Sequence, residues 1–382
     1  MELNINSISS LFFDFAAVIL IVFLLTSDTR KRLSNKMLSV YLILSMLDAS
    51  SDFISALIFS YWPIMGMLLN QTIFMIFPAL YFFAKASIYS NFKLTISSLL
   101  HLIPMIVVTV LLIPIFFLPL LRNPDLEWSS LINTGKRINL SYIILHAQIY
   151  IYYFFIFRML LRYKYILREN YASPKFDNQK WLFQFFTILF ILHLIATIKN
   201  IFLFGDNELL SSILNIVTQT AAVSIMFWLV IKALKKPDLF IGVEQETLLV
   251  NQLIEMRSNS EDGNSEHPEI IKKLENHMKV NEPFMDSSLS VYDLAKQINV
   301  PSRELSIAIN HNLNKHFFDF VNEYRIKKAM EIFKNTNDDK LTVLEVLYEV
   351  GFNSKSSFNT AFKKFTGTTP SEFKRKASSL AA

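Results

Sequence analysis

Hydrophobic positions in the first 237 residues run in unbroken stretches rather than in stripes. Seven stretches of about twenty residues follow one another, near 8–26, 37–59, 64–84, 97–119, 140–161, 182–204 and 209–231. Each is close to the length an α-helix needs to cross a ~30 Å hydrocarbon layer. Phe and Leu lie all round each stretch, which argues against the one-sided helices of a soluble bundle. Beyond Pro237 the density falls. Residues 238–257 hold a short amphipathic spacing of Leu248, Leu249, Leu253 and Met256, and SNSEDGNSE at 258–266 is polar, acidic and breaker-rich, as a flexible tether would be.

From Pro268 the pattern becomes that of a soluble helical domain. Pro268 suits the first turn of a helix whose Ile270, Ile271, Leu274 and Met278 share one face. In SLSVYDLAKQINVPSRELSIAINHNL at 288–313, Val291, Leu294, Ala295 and Ile298 turn inward on a first helix. Asn299 suits a left-handed turn, and Ser302 is expected to cap a second helix with Leu305 and Ile309 inward. The same plan returns about sixty residues on. Leu344, Val346 and Leu347 mark a short helix, Gly351 a turn, and Ser354–Phe365 a second exposed helix with Phe358, Phe362 and Phe365 buried; Gly367 and Pro370 close it. Between the two, residues 317–334 predict a long helix with Phe317, Phe320, Val321, Tyr324 and Phe333 on its core side. Eighteen residues of helix span about 27 Å, enough to hold two exposed helices near one DNA turn apart, ~34 Å.

The expected fold class is therefore all-α: a polytopic seven-helix transmembrane bundle at 1–237, a linker at 238–267, and a double helix-turn-helix (homeodomain-like) domain at 268–382. Composition agrees. The chain is 52% hydrophobic with 35 Phe and only 18% charged residues, too apolar for an ordinary soluble enzyme. The absence of Cys excludes disulfides, thiolate metal sites and cysteine nucleophiles, and seven scattered Gly offer no phosphate-binding loop.

Charge separates the segments. Residues 1–237 carry 19 basic and 11 acidic side chains, 238–269 one and eight, and 270–382 seventeen and thirteen. Alternate loops of the apolar region hold Arg30, Lys31, Arg32 and Lys36; Lys85 and Lys93; Arg162, Lys164, Arg168, Lys175 and Lys180; with Lys232, Lys235 and Lys236 after the last stretch. The opposite loops hold only Arg122, Lys136 and Arg137. The positive-inside rule then puts the N-terminus outside and the C-terminal domain in the cytoplasm of an inner-membrane protein. No basic residue precedes the first stretch and a basic cluster follows it, the pattern of a retained helix rather than a cleaved leader.

Polar groups fall inside the apolar stretches: Asp14, Asp48, Asp52, His146, Gln148, His193, Lys199, Asn215 and Gln219. Ionisable groups in lipid usually face a bundle interior or cavity. Asp48, Asp52, His146 and His193 are the candidates for a ligand-binding pocket; interhelical hydrogen bonding is the plainer alternative.

The run EVGFNSKSSFNTAFKKFTGTTPSEFKRK at 349–376 resembles the C-terminal signature of AraC/XylS-type regulators, and FFDFVNEYRIKKAMEIF at 317–333 resembles their connecting helix. The likeness covers roughly 270–378. FPALYFFAKA at 77–86 and HLIPMIV at 101–107 are similar, less specifically, to the membrane half of Bacteroidetes-like regulators of this architecture. Members often carry a basic residue and glycine where this chain has Ile307 and Asn314; the missing basic residue weakens the case for base readout by the first unit, while Asn314 can still supply the turn, and Leu347 replaces a common alanine.

The resemblance implies a membrane-bound, DNA-binding transcription regulator that is not an enzyme. The expected DNA-reading residues are Ser302, Arg303, Ser306 and Asn310 in the first unit and Ser354, Lys355, Ser356, Ser357, Asn359, Thr360 and Lys363 in the second. Asn pairs with adenine bidentately, Ser and Thr bond any pair, and Lys reaches guanine or phosphate. Lys315, Lys363, Lys364, Lys374, Arg375 and Lys376 are the phosphate-contact candidates. Implied partners are double-stranded DNA, the lipid bilayer, a small-molecule or envelope signal and a second copy of the chain. No cofactor or metal is expected: the seven His form no i, i+4 ligand pair, and neither a nucleophile elbow nor a P-loop is present. The competing reading is a membrane transporter or enzyme whose C-terminal helices serve only for docking.

Overall fold

The computed structural model describes residues 5–26, 32–51, 63–89, 92–122, 136–173, 176–205, 207–235, 268–335 and 341–381. Among them the regular elements are all helical, and isolated bridging includes an antiparallel pair between Tyr171 and Ser290. The chain divides into two compact units, Met1–Leu161 with Asp177–Gln245, and Arg162–Phe176 with Glu246–Ala382.

The first unit contains α1 (Ile5–Thr26), α2 (Arg32–Ala49), α3 (Pro63–Asn70), α4 (Ile73–Ile88), a 3-10 turn (Ile96–Leu102) leading into α5 (Ile103–Arg122), most of α6 (Lys136–Asn170), α7 (Phe176–Phe204) and α8 (Glu208–Lys235). Among the described residues six stretches are long and apolar enough to cross a membrane: Ile8–Thr26, Leu68–Ile88, Ile96–Pro114, Ser141–Asn170, Gln179–Leu203 and Glu208–Lys235. These fall on six of the seven expected. The remaining one, 37–59, begins on α2 and runs into residues outside the described set, as do Asp52 and the expected linker at 238–267.

This unit is apolar outside as well as inside. Leu11, Phe12, Phe15, Val18 and Val22 of α1 are all exposed, as are Ile106, Val107 and Val110 of α5. Its helices are joined by hydrogen bonds that water would weaken and lipid preserves. Ser34 and Ser87 share one at 2.7 Å between α2 and α4, and Asn35 Nδ2 donates to Leu24 O at 3.1 Å. Pro78 sits inside α4 and has no N–H to offer the carbonyl of Phe74 four residues earlier. Gln148 of α6 supplies the missing donor through Nε2, at 2.9 Å.

The second unit contains α9 (Pro268–Val280), α10 (Val291–Gln297), α11 (Ser302–Ile307) continuing as a π turn (Ala308–Asn312), α12 (Phe317–Asn335), α13 (Val343–Glu349), α14 (Lys355–Thr366) and α15 (Pro370–Ala381). Two apolar cores lie along α12. Phe317, Phe320 and Val321 join the first with Leu274, Leu294 and Leu305; Ile326, Ala329 and Phe333 join the second with Val346, Phe358 and Phe362. At about 1.5 Å per residue the nineteen residues of α12 make a strut of roughly 28 Å. The expected core side holds for Phe317, Phe320, Val321 and Phe333, which are buried, and for Tyr324, which is half-buried and packs against the first core.

Candidate nucleic-acid interface

Each of the two helix-turn-helix units within the second compact unit opens with a reciprocal cap. Ser290 Oγ accepts from Asp293 N at 3.2 Å while Asp293 Oδ2 accepts from Ser290 N at 3.1 Å. Thr342 and Glu345 do the same, at 3.1 and 2.7 Å. This S/T-x-x-D/E spacing is legible in the sequence and would have fixed both helix starts. Each first helix ends in a left-handed residue, Asn299 at φ 53° and Gly351 at φ 90°. Asn314, also expected to take a turn, has φ 49°.

The second helix of each unit differs. Ser354 caps α14, its Oγ accepting from Ser357 N at 3.2 Å, and Gly367 closes the helix at φ 77°. Ser302 does not cap α11. Pro301 occupies the N-cap with no side-chain bond, and Ser302 is the first helical residue. The turn after Asn299 is one residue shorter than that after Gly351, so the helix starts where an apolar ring rather than a hydroxyl stands. Phe365 is a second correction: it is 44% exposed, while Phe358 and Phe362 alone form the buried stripe of α14.

Counted from their N-caps, Pro301 and Ser354, the fourth and eighth residues are buried in both: Leu305 and Ile309, Phe358 and Phe362. Ser306, Ile307 and Asn310 therefore correspond to Asn359, Thr360 and Lys363. On α14, Lys355, Ser356, Asn359, Thr360 and Lys363 are exposed on one side. Lys355, Asn359 and Lys363 engage no partner among the described residues. Asn359, Thr360, Lys363, Lys364 and Thr369 line an open depression of about 440 Å³. Ser354 and Ser357 bond each other at 2.8 Å and are half-buried, so they hold the helix start rather than face outward. Thr360 Oγ1 donates to Ser356 O at 2.8 Å, leaving its lone pairs outward.

On α11 the same positions are not open. Ile307 is 6% exposed, and Ser306 and Asn310 are half-buried. Arg303 is exposed, and Ser302 is half-buried. Several expected phosphate contacts are already engaged. Lys364 Nζ meets Asp319 Oδ1 at 2.7 Å, Lys315 pairs with Glu323, and Lys374 Nζ donates to Leu341 O at 2.6 Å. Arg375 and Lys376 are exposed.

Arg325 carries no signal in the periodicity, yet it is the largest fully buried side chain of this unit, at 0% exposure. Its Nε donates to Phe284 O at 2.6 Å and its Nη2 to Asp286 O at 2.8 Å. Nη1 donates to Ser173 Oγ at 2.7 Å and to Ala172 O at 3.3 Å. The guanidinium also lies 5.5 Å from the centre of the Phe352 ring. Burial pulls its pKa down to about 10, against the opposing charge of Asp286, and it stays charged at neutral pH. The nearby turn explains Gly351 as well. A Cβ there would stand 2.6 Å from the carbonyl oxygens of Phe284 and Met285.

Residues 294–376 match the model of a helix-turn-helix domain family. The C-terminal part of this chain is a helix-turn-helix domain of the AraC type. The AraC-type domain is 27% identical over 118 residues to the Msm operon regulatory protein of Streptococcus mutans, covering 31% of this chain and 40% of that one. It is 38% identical over 77 residues to an uncharacterized HTH-type transcriptional regulator of Pseudoalteromonas carrageenovora, covering 20% and 41%. The chain thus spans about two fifths of the length of these relatives. A solved structure, the C-terminal domain of the response regulator AraT from Geobacillus stearothermophilus, is similar at 28% identity over 28% of this chain and 85% of that one, with a TM-score of 0.25.

In the first unit, His146 and His193 come together. Thr197 Oγ1 lies 3.1 Å from His146 Nδ1, Asn200 Nδ2 lies 3.0 Å from His146 Nε2, and Tyr153 OH lies 2.9 Å from His193 Nδ1. Tyr150 joins through Thr197 at 2.7 Å. Lys199 Nζ reaches Asn215 Oδ1 at 3.4 Å. Asp14 accepts from Ser50, and Asp48 is exposed on α2. Among the described residues no group of His, Asp or Glu is placed to hold a metal ion.

Proposed function

We propose that this chain is a membrane-bound transcription regulator whose AraC-type domain binds promoter DNA from the cytoplasmic face. The observation that carries the reading is α14: a capped, regular helix that presents Lys355, Asn359 and Lys363 unengaged on one side, backed by a closed apolar core. That is the geometry a major groove accepts, with a bidentate adenine reader flanked by two cations. At roughly 28 Å the strut α12 is long enough to hold two such units near one DNA turn, ~34 Å, apart, which supports successive major grooves as the site. The six apolar stretches, taken with the seventh expected at 37–59, and the excess of basic residues in alternate loops support an inner-membrane location with the N-terminus outside. The hydrogen-bonded cluster of His146, His193, Thr197 and Asn200 is the place proposed for a small-molecule signal. Such a signal would act by exchanging these interhelical bonds for its own, and a second copy of the chain would raise the local concentration of DNA-binding domains.

Genome-wide mapping of DNA bound by the tagged full-length protein tests the reading. Discrete promoter sites are expected, and they should vanish with Lys355→Ala plus Asn359→Ala while the amount in the membrane fraction stays constant. An unchanged binding map rejects α14 as the reading helix. Because the chain lacks Cys, single introduced cysteines report topology cleanly; labelling of the C-terminal domain from outside the cell would reject the orientation.

A further inference from the structure

The last turns of α6 and the residues after it belong to the DNA-binding unit. α6 has 35 residues where about twenty cross a membrane, and Arg162 onward group with the C-terminal unit. Ala172 is wholly buried in that unit's first apolar core. Its N–H donates to Leu289 O at 3.0 Å beside the bridge between Tyr171 and Ser290, and Arg325 holds both its carbonyl and Ser173 Oγ. This docking brings Glu169, 2% exposed, against the first unit's groove-facing side. Its two carboxylate oxygens take Asn310 Nδ2 and His316 Nδ1, and the ring of His316 meets Tyr165 edge-on at 5.1 Å.

We infer that residues 162–173 form an autoinhibitory latch in which Glu169 occupies the base-reading position of the first helix-turn-helix unit, so that this segment and DNA compete for one helix face. The inference rests on the proposed DNA-binding function. Three observations converge on it. Asn310 stands where the second unit has exposed Lys363, and its amide, the group that would pair with adenine, is spent on a carboxylate. A carboxylate at that place repels the phosphate backbone, so the docked state opposes DNA by charge as well as by occupancy. The latch is also built rather than incidental, since a buried guanidinium and a main-chain bridge hold it beside Glu169. With the latch in place only α14 reads bases; with it released, α11 adds the second groove. Residues 162–170 continue directly from α6, so a change in that helix has a covalent route to the latch.

The test uses full-length protein in lipid nanodiscs and the duplex most enriched from a random pool by the Glu169→Ala variant. Glu169→Ala is expected to bind that duplex about tenfold or more tightly than the parent and to extend the hydroxyl-radical footprint by one groove. Adding Asn310→Ala should remove the extension. A second arm does not depend on removing a buried group. Residues paired across an antiparallel bridge have the Cα spacing that a disulfide requires. Tyr171→Cys with Ser290→Cys therefore makes a reversible lock in a cysteine-free chain. The oxidised form should keep the short footprint, and reduction should allow the long one when Glu169→Ala is also present. A long footprint in the parent, or equal affinity in the oxidised and reduced forms of that triple variant, overturns the latch. If Lys355→Ala plus Asn359→Ala abolishes binding while neither arm changes it, the latch alone fails; if no variant binds DNA, the proposed function fails with it.

Discussion

The two helix-turn-helix units follow one plan and differ at the helix meant for DNA. Both begin with a reciprocal cap, turn through a left-handed residue and bury the fourth and eighth residues of the second helix. In the second unit that helix has a serine cap, twelve regular residues and a glycine stop. In the first, a proline leads into six α-helical residues and then a π turn. A regular, capped helix holds its outward side chains in fixed register, which base readout demands. An uncapped helix that widens after two turns fixes them less well, and here Glu169 takes the side-chain amide of Asn310. A shared fold is therefore compatible with unequal duties: the open unit is suited to reading and the covered one to control.

The comparison can be broken most sharply at Arg325, which serves both units. Arg325→Ala removes the guanidinium from four carbonyl and hydroxyl acceptors, of which Asp286 O keeps Leu289 N at 3.3 Å, and withdraws the cation from Phe352; a loss of roughly 3–5 kcal/mol is expected. Hydrogen exchange on the full chain should show both cores opening earlier. If only one core loosens, the strut does not couple them.

Next in size is the turn. Gly351→Ala combines a left-handed φ with a Cβ set 2.6 Å from two carbonyl oxygens, and about 2–4 kcal/mol of destabilisation is expected. Asn299→Gly at the matching place relieves a positive φ and should change stability by less than ~0.5 kcal/mol. Urea unfolding of the two variants compares the turns directly; a loss at Gly351→Ala no larger than the ~1–2 kcal/mol of a left-handed φ alone would mean that the close approach contributes nothing.

Affinity comes third. Lys355→Ala with Asn359→Ala should weaken specific DNA binding by about 10–100-fold, the worth of one or two base contacts at ~1–3 kcal/mol each. Ser306→Ala with Asn310→Ala, the same comparison in the covered unit, should change it less than about twofold while Glu169 is in place. Titration of a labelled duplex reads both, and an equal loss from the two pairs would erase the difference between the units.

The smallest effect is electrostatic. Burial alone would raise the carboxyl pKa of Glu323, but hydrogen bonds from Lys315 and Lys327 outweigh it and hold the group below its usual value. A carboxylate lowered in the folded state contributes stability above its unfolded pKa and loses it as pH falls through the lower, folded one. Glu323→Gln should thus cost about 0.5 kcal/mol at neutral pH and nothing in strong acid. Denaturant midpoints from pH 7 down to 3 check the sign.

Much of this was legible beforehand, because it is local. Apolar runs of membrane length, the switch to helical periodicity at Pro268, the left-handed positions at Asn299, Asn314 and Gly351 and the outward face of α14 all follow from residues within a few positions of one another. Helix geometry repeats every 3.6 residues, so such features announce themselves in a short window. The misplaced cap at Ser302 and the exposure of Phe365 arose where that window could not see the exact turn length or the end of the core.

Arg325 and Glu169 lay beyond it altogether. Arg325 reads as one more surface cation until the turn at 283–286 and the segment at 172–173 close around it. Glu169 reads as an acidic residue among the basic ones of a loop, and its partners stand 141 and 147 residues further on. Sequence spacing carries no information about pairs that distant. Only the packed chain decided that Asn310 and His316 meet one carboxylate, because that contact depends on where folding brings two remote backbones together.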